Sequence, residues 1–218
     1  MCSQIIDHTH KTYIEKRNRL GSSKYNGAFY YSKEIVKNII PNVNTDRNWV
    51  TVNQQGYCFD HSIVFIHNNL HPNRYDWIAD YKDLILVCGV PETCEKVEHL
   101  GIPIYLPLSV DVDYIKTFMI PEEEKYGTAF AGRYVKSKYG YIPPDVDYIC
   151  GLDHRAFLQR IAYCKKLYAV GRVAIEGLVL GCEILPYDER YPDPSVWKVL
   201  DNKDAASMLQ DILDGIDS

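Results

Sequence analysis

Within Val173-Ala-Ile-Glu-Gly-Leu-Val-Leu180 a single carboxylate, Glu176, stands among apolar neighbours on both sides. A segment of that composition packs nearly all round, and a buried charge is expensive unless something pairs with it. Two kinds of partner remain open for Glu176: the hydroxyls of a bound ligand, or an Arg or Lys from another helix. The surrounding Lys165–Asp188 reads as a strand over Lys166–Val170, a glycine turn at Gly171, a helix through Leu180, a second glycine at Gly181 and a strand into Pro186. Because the helix starts directly after a strand, its first amides, at Gly171, Arg172 and Val173, and its positive dipole end face the sheet edge where phosphates bind.

Three other places carry side chains with chemistry. Arg133, with Lys136 and Lys138 close behind, follows an apolar strand in an acidic chain. The planar fork of Arg and the point charge of Lys together suit a diphosphate, although residue type alone favours a solvated basic loop. His67 ends the apolar run Ser62–Asn68, at the carboxyl end of a predicted strand, where ligands of parallel sheets sit. It reads either as a sugar or catalytic contact or as a histidine that only caps the strand. The loop Gly21–Gly27 feeds a helix but contains neither a Gly-Lys-Ser/Thr nor a Gly-x-Gly-x-x-Gly motif. Asp111 and Asp113 have the spacing of a metal-binding pair but do not stand in a persuasive place for one, and no metal or cofactor is expected.

The order strand, glycine, glutamate five places on, second glycine, strand resembles the nucleotide-sugar site in the C-terminal half of glycosyltransferases with the GT-B fold. In that family the helix glutamate holds the ribose of the donor. The family also has a Gly-Arg pair ending the first strand of this half, with a lysine five positions after the arginine. Here the words are GTAFAGRYVKSKYG, which gives Arg133 and Lys138. The segment LPLSVDVDYIKTF is similar to the family's crossover between halves. One departure stands out, since a second glutamate usually lies three residues before the helix glycine and this chain has Tyr168.

The resemblance implies an α/β fold of two Rossmann-like halves with parallel sheets facing a cleft. Residues 1–115 form a compact acceptor side and residues 116–218 the nucleotide-sugar side. It further implies hexosyl transfer from a UDP-, GDP- or ADP-linked sugar to an acceptor hydroxyl, with Arg133, Lys138, Gly171, Arg172, Val173 and Glu176 binding the donor and His67 catalytic. Tyr168 supports a second reading, a nucleotide or nucleotide-sugar binding protein without turnover. A third is an ordinary Rossmann-like domain with another ligand.

Those residues need a β/α frame, and the rest of the chain supplies its signals. At 218 residues the chain is long enough to bury a substantial core. A formal charge of -5 argues against a nucleic-acid surface. No apolar run reaches membrane-spanning length, and the N-terminus lacks a signal-peptide core, so a soluble cytoplasmic protein is expected. The seven cysteines lack a Cys-x-x-Cys pair and read as small buried hydrophobes. Helical spacing of Ala28, Tyr31, Ile35, Val36, Ile39 and Ile40 predicts a helix that Pro41 stops. Strands are predicted over Asn48–Asn53, Ser62–Asn68, Asp83–Cys88, Ile102–Leu106, Thr128–Gly132 and Val146–Gly151, with helices from Asn73, Pro91 and Asp153. A final amphipathic helix carries Ala205, Met208, Leu209, Ile212 and Leu213.

Overall fold

The computed structural model describes residues 5–6, 27–51, 58–66, 72–131, 145–187, 189 and 191–216. His67, Arg133, Lys138 and the loop before Gly27 lie outside the described residues. The chain forms two compact α/β units, each built on an all-parallel sheet. One takes Ala28–Pro107 with the first strand and the final helix from Asn202, and the other takes Leu108–Asp201. The division therefore falls after Pro107 rather than at residue 115, and the last helix belongs with the first unit.

In the first unit, strands β1 (Ile5–Ile6), β2 (Asn48–Val50), β3 (Ser62–Ile66), β4 (Leu84–Cys88) and β5 (Ile102–Tyr105) lie side by side in chain order. Every residue of β3 and β4 is buried, as their continuous Ile/Val/Leu/Phe content requires of strands covered on both faces. On one face Tyr31, from helix α1 (Gly27–Glu34), meets Phe65 edge-on, and Phe65 stacks with Trp49. Helix α1 runs on through a π turn over Ile35–Ile39 and a 3-10 turn over Ile40–Asn42, where Pro41 ends it. On the other face Val50, Val64, Ile66, Leu84, Leu86 and Cys88 form one core with Tyr75 and Ile78 of the 3-10 helix Pro72–Ile78. Val97 of helix α2 (Pro91–Val97) joins that core.

Gly101, where the sequence ends the helix begun at Pro91, follows its last 3-10 turn with an extended φ of 168°. It is needed because a Cβ there would lie 2.5 Å from the Leu84 carbonyl oxygen, so the turn between α2 and β5 passes tightly over β4. At the amino ends of the strands, His61 and Asp83 both adopt positive φ and bond through Nδ1 and Oδ2 at 2.5 Å. Asp46 accepts from His61 Nε2 at 3.0 Å, and Arg47 donates to Asp83 Oδ1 at 3.0 Å. This ion network holds the sheet edge opposite the one where ligands of such sheets bind.

The second unit holds β6 (Thr128–Ala131), β7 (Asp147–Ile149), β8 (Lys166–Tyr168) and β9 (Glu183–Leu185), in the order β7-β6-β8-β9. The chain steps from β6 outward to β7, then returns across β6 to β8 and continues to β9. The strand order reverses between β6 and β8. Both the β7-to-β8 link, helix α4 (His154–Ala162), and the β8-to-β9 link, helix α5 (Arg172–Val179), travel in the same direction. Right-handed crossovers then place α4 and α5 on the same sheet face. That face presents Ala129, Leu167 and Ile184, one row of the register, with Gly177 of α5 against the last two. The opposite face is aromatic: Phe130 adjoins Tyr148, Tyr168 and Tyr187.

A short helix α3 (Val112–Lys116) opens this unit, capped by Asp111, whose carboxylate accepts from the Tyr114 amide at 2.9 Å. The aspartate pair noted in the sequence is thus a helix cap and its neighbour. Helix α6 (Asn202–Ile216) packs on the Ile35–Asn42 stretch of the first unit and buries Ala205, Ala206, Leu209 and Leu213. Among the described residues no helix is long and apolar enough to cross a membrane.

Candidate functional site

Gly171 follows β8 and begins α5, with φ 62° and ψ -138°. That conformation is open in practice only to glycine, and it turns the chain sharply from strand to helix. The first intrahelical bonds run from the Ala174 and Ile175 amides to the Gly171 carbonyl at 3.0 and 3.2 Å. The amides of Arg172 and Val173 precede them at the positive end of the helix. Helix α4 starts at the same sheet edge, its Asp153 side chain accepting from the Ala156 amide at 2.9 Å. Both helix starts thus flank the carboxyl edge near the reversal between β6 and β8, where doubly wound sheets bind ligands.

Glu176, one turn into α5, is fully buried. Its Oε1 accepts from Arg172 Nε at 2.7 Å and from His154 Nε2 at 2.9 Å. Arg172 and His154 are themselves buried, at 3% and 6% exposure. Tyr114 of α3 lies beside the His154 ring, centroids 6.1 Å apart. Burial pushes the Glu176 carboxyl toward its neutral form. The Arg172 charge and the His154 hydrogen bond outweigh this, so the group stays below its usual range.

The carboxylate thus has protein partners, as its isolation in an apolar helix demands, but they differ from the simplest expectation. The arginine comes from the same helix at i,i+4 spacing, and the second helix contributes a histidine. Arg172 was named in the sequence only for its backbone amide. The side-chain pairing was visible there as an Arg four places before a Glu. His154 gave no such signal, because 22 residues separate it from Glu176 and only the strand order brings α4 beside α5.

Gly171, Arg172, Val173 and Glu176 are gathered on one turn of α5, and Tyr168 ends β8 just before it, its ring stacked on Phe130. At the far end of α5, Lys125 is buried and donates through Nζ to the Leu180 and Gly181 carbonyls at 2.8 and 3.1 Å, while pairing with Glu122 at 2.8 Å. It answers the negative end of the helix. No family model, no curated protein and no solved structure matches this chain.

Proposed function

We propose that the chain is a glycosyltransferase-like protein that binds a nucleoside-diphosphate sugar at the carboxyl edge of the β7-β6-β8-β9 sheet and transfers the sugar to an acceptor hydroxyl. The observation that carries this reading is the reversal of strand order between β6 and β8, with the Gly171 turn opening α5 beside it. Such a point leaves a crevice at the strand ends, and the amides of Arg172 and Val173 supply donors for a phosphate there. Arg133, two residues after β6 in the sequence, would contribute positive charge to binding the diphosphate, as the resemblance implies. Positive groups around a leaving diphosphate stabilise it more in the transition state than in the ground state. In this reading the two units are the halves of a GT-B arrangement, and Glu176 fixes the Arg172 and His154 side chains at the donor end.

Tyr168, standing where the resembling enzymes carry a second glutamate, favours the alternative of nucleotide binding without turnover. Calorimetric titration with UDP, GDP, ADP and their hexose conjugates separates the cases. Saturable binding of one diphosphate is expected, weakened at least tenfold by Arg133→Ala, with slow release of free diphosphate from the matching sugar conjugate. Binding without release leaves the second reading. No binding by any of these ligands removes both.

A further inference from the structure

His61 leads into β3 with a positive φ of 54°, a conformation that a residue other than glycine keeps only where its surroundings hold it. Its backbone is tied on both sides. The His61 amide donates to the Lys82 carbonyl and the Asn48 amide donates to the His61 carbonyl, each at 2.9 Å. Its ring lies between carboxylates from two other segments, with Nδ1 2.5 Å from Asp83 Oδ2 and Nε2 3.0 Å from Asp46 Oδ1. An ionised carboxylate only accepts, so both ring nitrogens must donate, and only the imidazolium carries two N–H groups. The geometry is therefore that of a charged His61 joining the turn before β2 to the residue before β4.

We propose that His61 is a proton-operated clasp: as imidazolium it fastens Asp46 to Asp83, and on losing one proton it keeps Asp83 and releases Asp46. Which bond survives follows from the two partners. Asp83 is the closer one and is half-exposed, whereas Asp46 is 81% exposed. Arg47 Nη1 also fixes Asp83, donating to its carboxylate at 3.0 Å and to its carbonyl at 3.2 Å. The proton therefore leaves Nε2, and the bare nitrogen then faces a carboxylate oxygen, lone pair against lone pair, so Asp46 turns to water. The change stays local, because Arg47 remains on Asp83. On the other side, the Asn44 amide donates to Gln210 Oε1 of α6 at 2.6 Å, and Gln210 Nε2 donates back to the Asn44 carbonyl at 3.3 Å. Thr45 and Asp46, between these anchors, are the residues that move.

The charges around the ring set the direction of the switch. The hydrogen bonds to Asp83 and Asp46 raise His61 above the ordinary histidine range, outweighing burial and the Arg47 charge. The same bonds hold both carboxylates below their usual range, Asp83 with added help from Arg47. Asp60 and Lys82, in the adjoining turns, meet each other, the Asp60 carboxylate accepting from the Lys82 amide at 2.7 Å. Both aspartates thus stay ionised while His61 titrates. The clasp is closed in acid and opens as pH rises through the folded-state value of His61. Spacing alone held no hint of it, because Asp46 and Asp83 stand 15 and 22 residues from His61.

The test is a pH titration of the isotope-labelled full chain, followed by nuclear magnetic resonance of the His61 ring nitrogens and the backbone amides. On deprotonation the Nε2 signal should move to that of a bare ring nitrogen while Nδ1 keeps its proton against Asp83. The Thr45 and Asp46 amides should shift with the same midpoint, whereas those of Val64 and Leu86 should not. His61→Asn accepts the positive φ and should abolish the step at Thr45 and Asp46. Asp46→Ala, at an exposed position, should lower the His61 midpoint and leave the neutral ring protonated at Nδ1. A neutral ring protonated at Nε2, a His61 titration that leaves the Thr45 and Asp46 amides unmoved, or an unchanged midpoint in Asp46→Ala would overturn the proposal.

Discussion

Glu176 concentrates the energetics of its unit in one carboxylate. Removing it leaves Arg172 and His154 buried beside an empty space, and breaking a buried charge pair from one side costs about 3–5 kcal/mol. Glu176→Ala should therefore lower the unfolding free energy by that order in urea titrations at neutral pH. Glu176→Gln retains an acceptor for the His154 and Arg172 N–H groups and should cost clearly less. The same group sets an acid limb. Its pKa in the folded state is depressed, so its stabilisation is complete above the unfolded-state value and fades as pH falls through the folded-state one. The unaltered chain should lose stability across that acid window, and Glu176→Gln should lose less. Equal slopes for the two proteins would show that the carboxylate is not held by its partners. His61 runs the other way: hydrogen bonds to Asp83 and Asp46 raise its pKa, so its contribution is present in acid and lost as pH rises through the folded value. A nuclear magnetic resonance titration of His61 should give a midpoint above that of the unfolded chain. Part of this was legible in the sequence. A lone acid in Val-Ala-Ile-Glu-Gly-Leu-Val-Leu announces burial and a partner, but the partner's identity is a tertiary fact, settled by which helices share a face.

At the scale of elements, the sequence marks nearly every strand and helix of the described residues, because turn glycines, Pro91 and Pro41, and β-branched runs act locally. It does not tell which physical need each of those residues meets. Gly171 is required by its backbone, φ 62° with open space around a Cβ, its nearest neighbour being Leu108 Cδ1 at 3.8 Å. Gly101 is required by space, its backbone being extended but its Cβ position 2.5 Å from a carbonyl oxygen. Gly171→Ala should cost about 1–3 kcal/mol through strain alone. It should also weaken nucleotide binding if the α5 turn forms the phosphate site, with thermal unfolding and calorimetry as the two readouts. A variant as stable as the parent would mean that the turn relaxes into another conformation. Lys125 shows the same limit from the polar side. The run Glu122-Glu123-Glu124 reads as a solvated linker, and Glu122 is indeed 70% exposed, yet it helps hold a buried lysine that closes α5. Nothing in the local composition distinguishes that lysine from a surface one.

For the whole molecule, the β/α rhythm correctly gives two parallel-sheet units, but rhythm cannot say which unit receives a terminal helix. Amphipathic spacing in Ala205, Leu209 and Leu213 specifies a buried face without naming its partner. The partner is the Ile35–Asn42 stretch, with Asn202 Nδ2 donating to Glu34 Oε2 at 3.0 Å and Gln210 meeting the Asn44 backbone. Residues widely separated along the chain thus complete one core, so the first unit is assembled only when its last helix is present. Two buried leucines alone contribute about 3–6 kcal/mol. That is a large share of the roughly 5–15 kcal/mol that holds a domain folded. A chain ended after Asp201 should therefore lose amide-exchange protection across α1, β2 and β3 by orders of magnitude. Protection in β6, β8 and α5 should remain close to that of the full chain. Hydrogen exchange read by mass spectrometry resolves the two sets of peptides in one experiment. If α5 and β8 were instead the segments to open while β3 stayed protected, the final helix would have to be reassigned to the unit that carries Glu176.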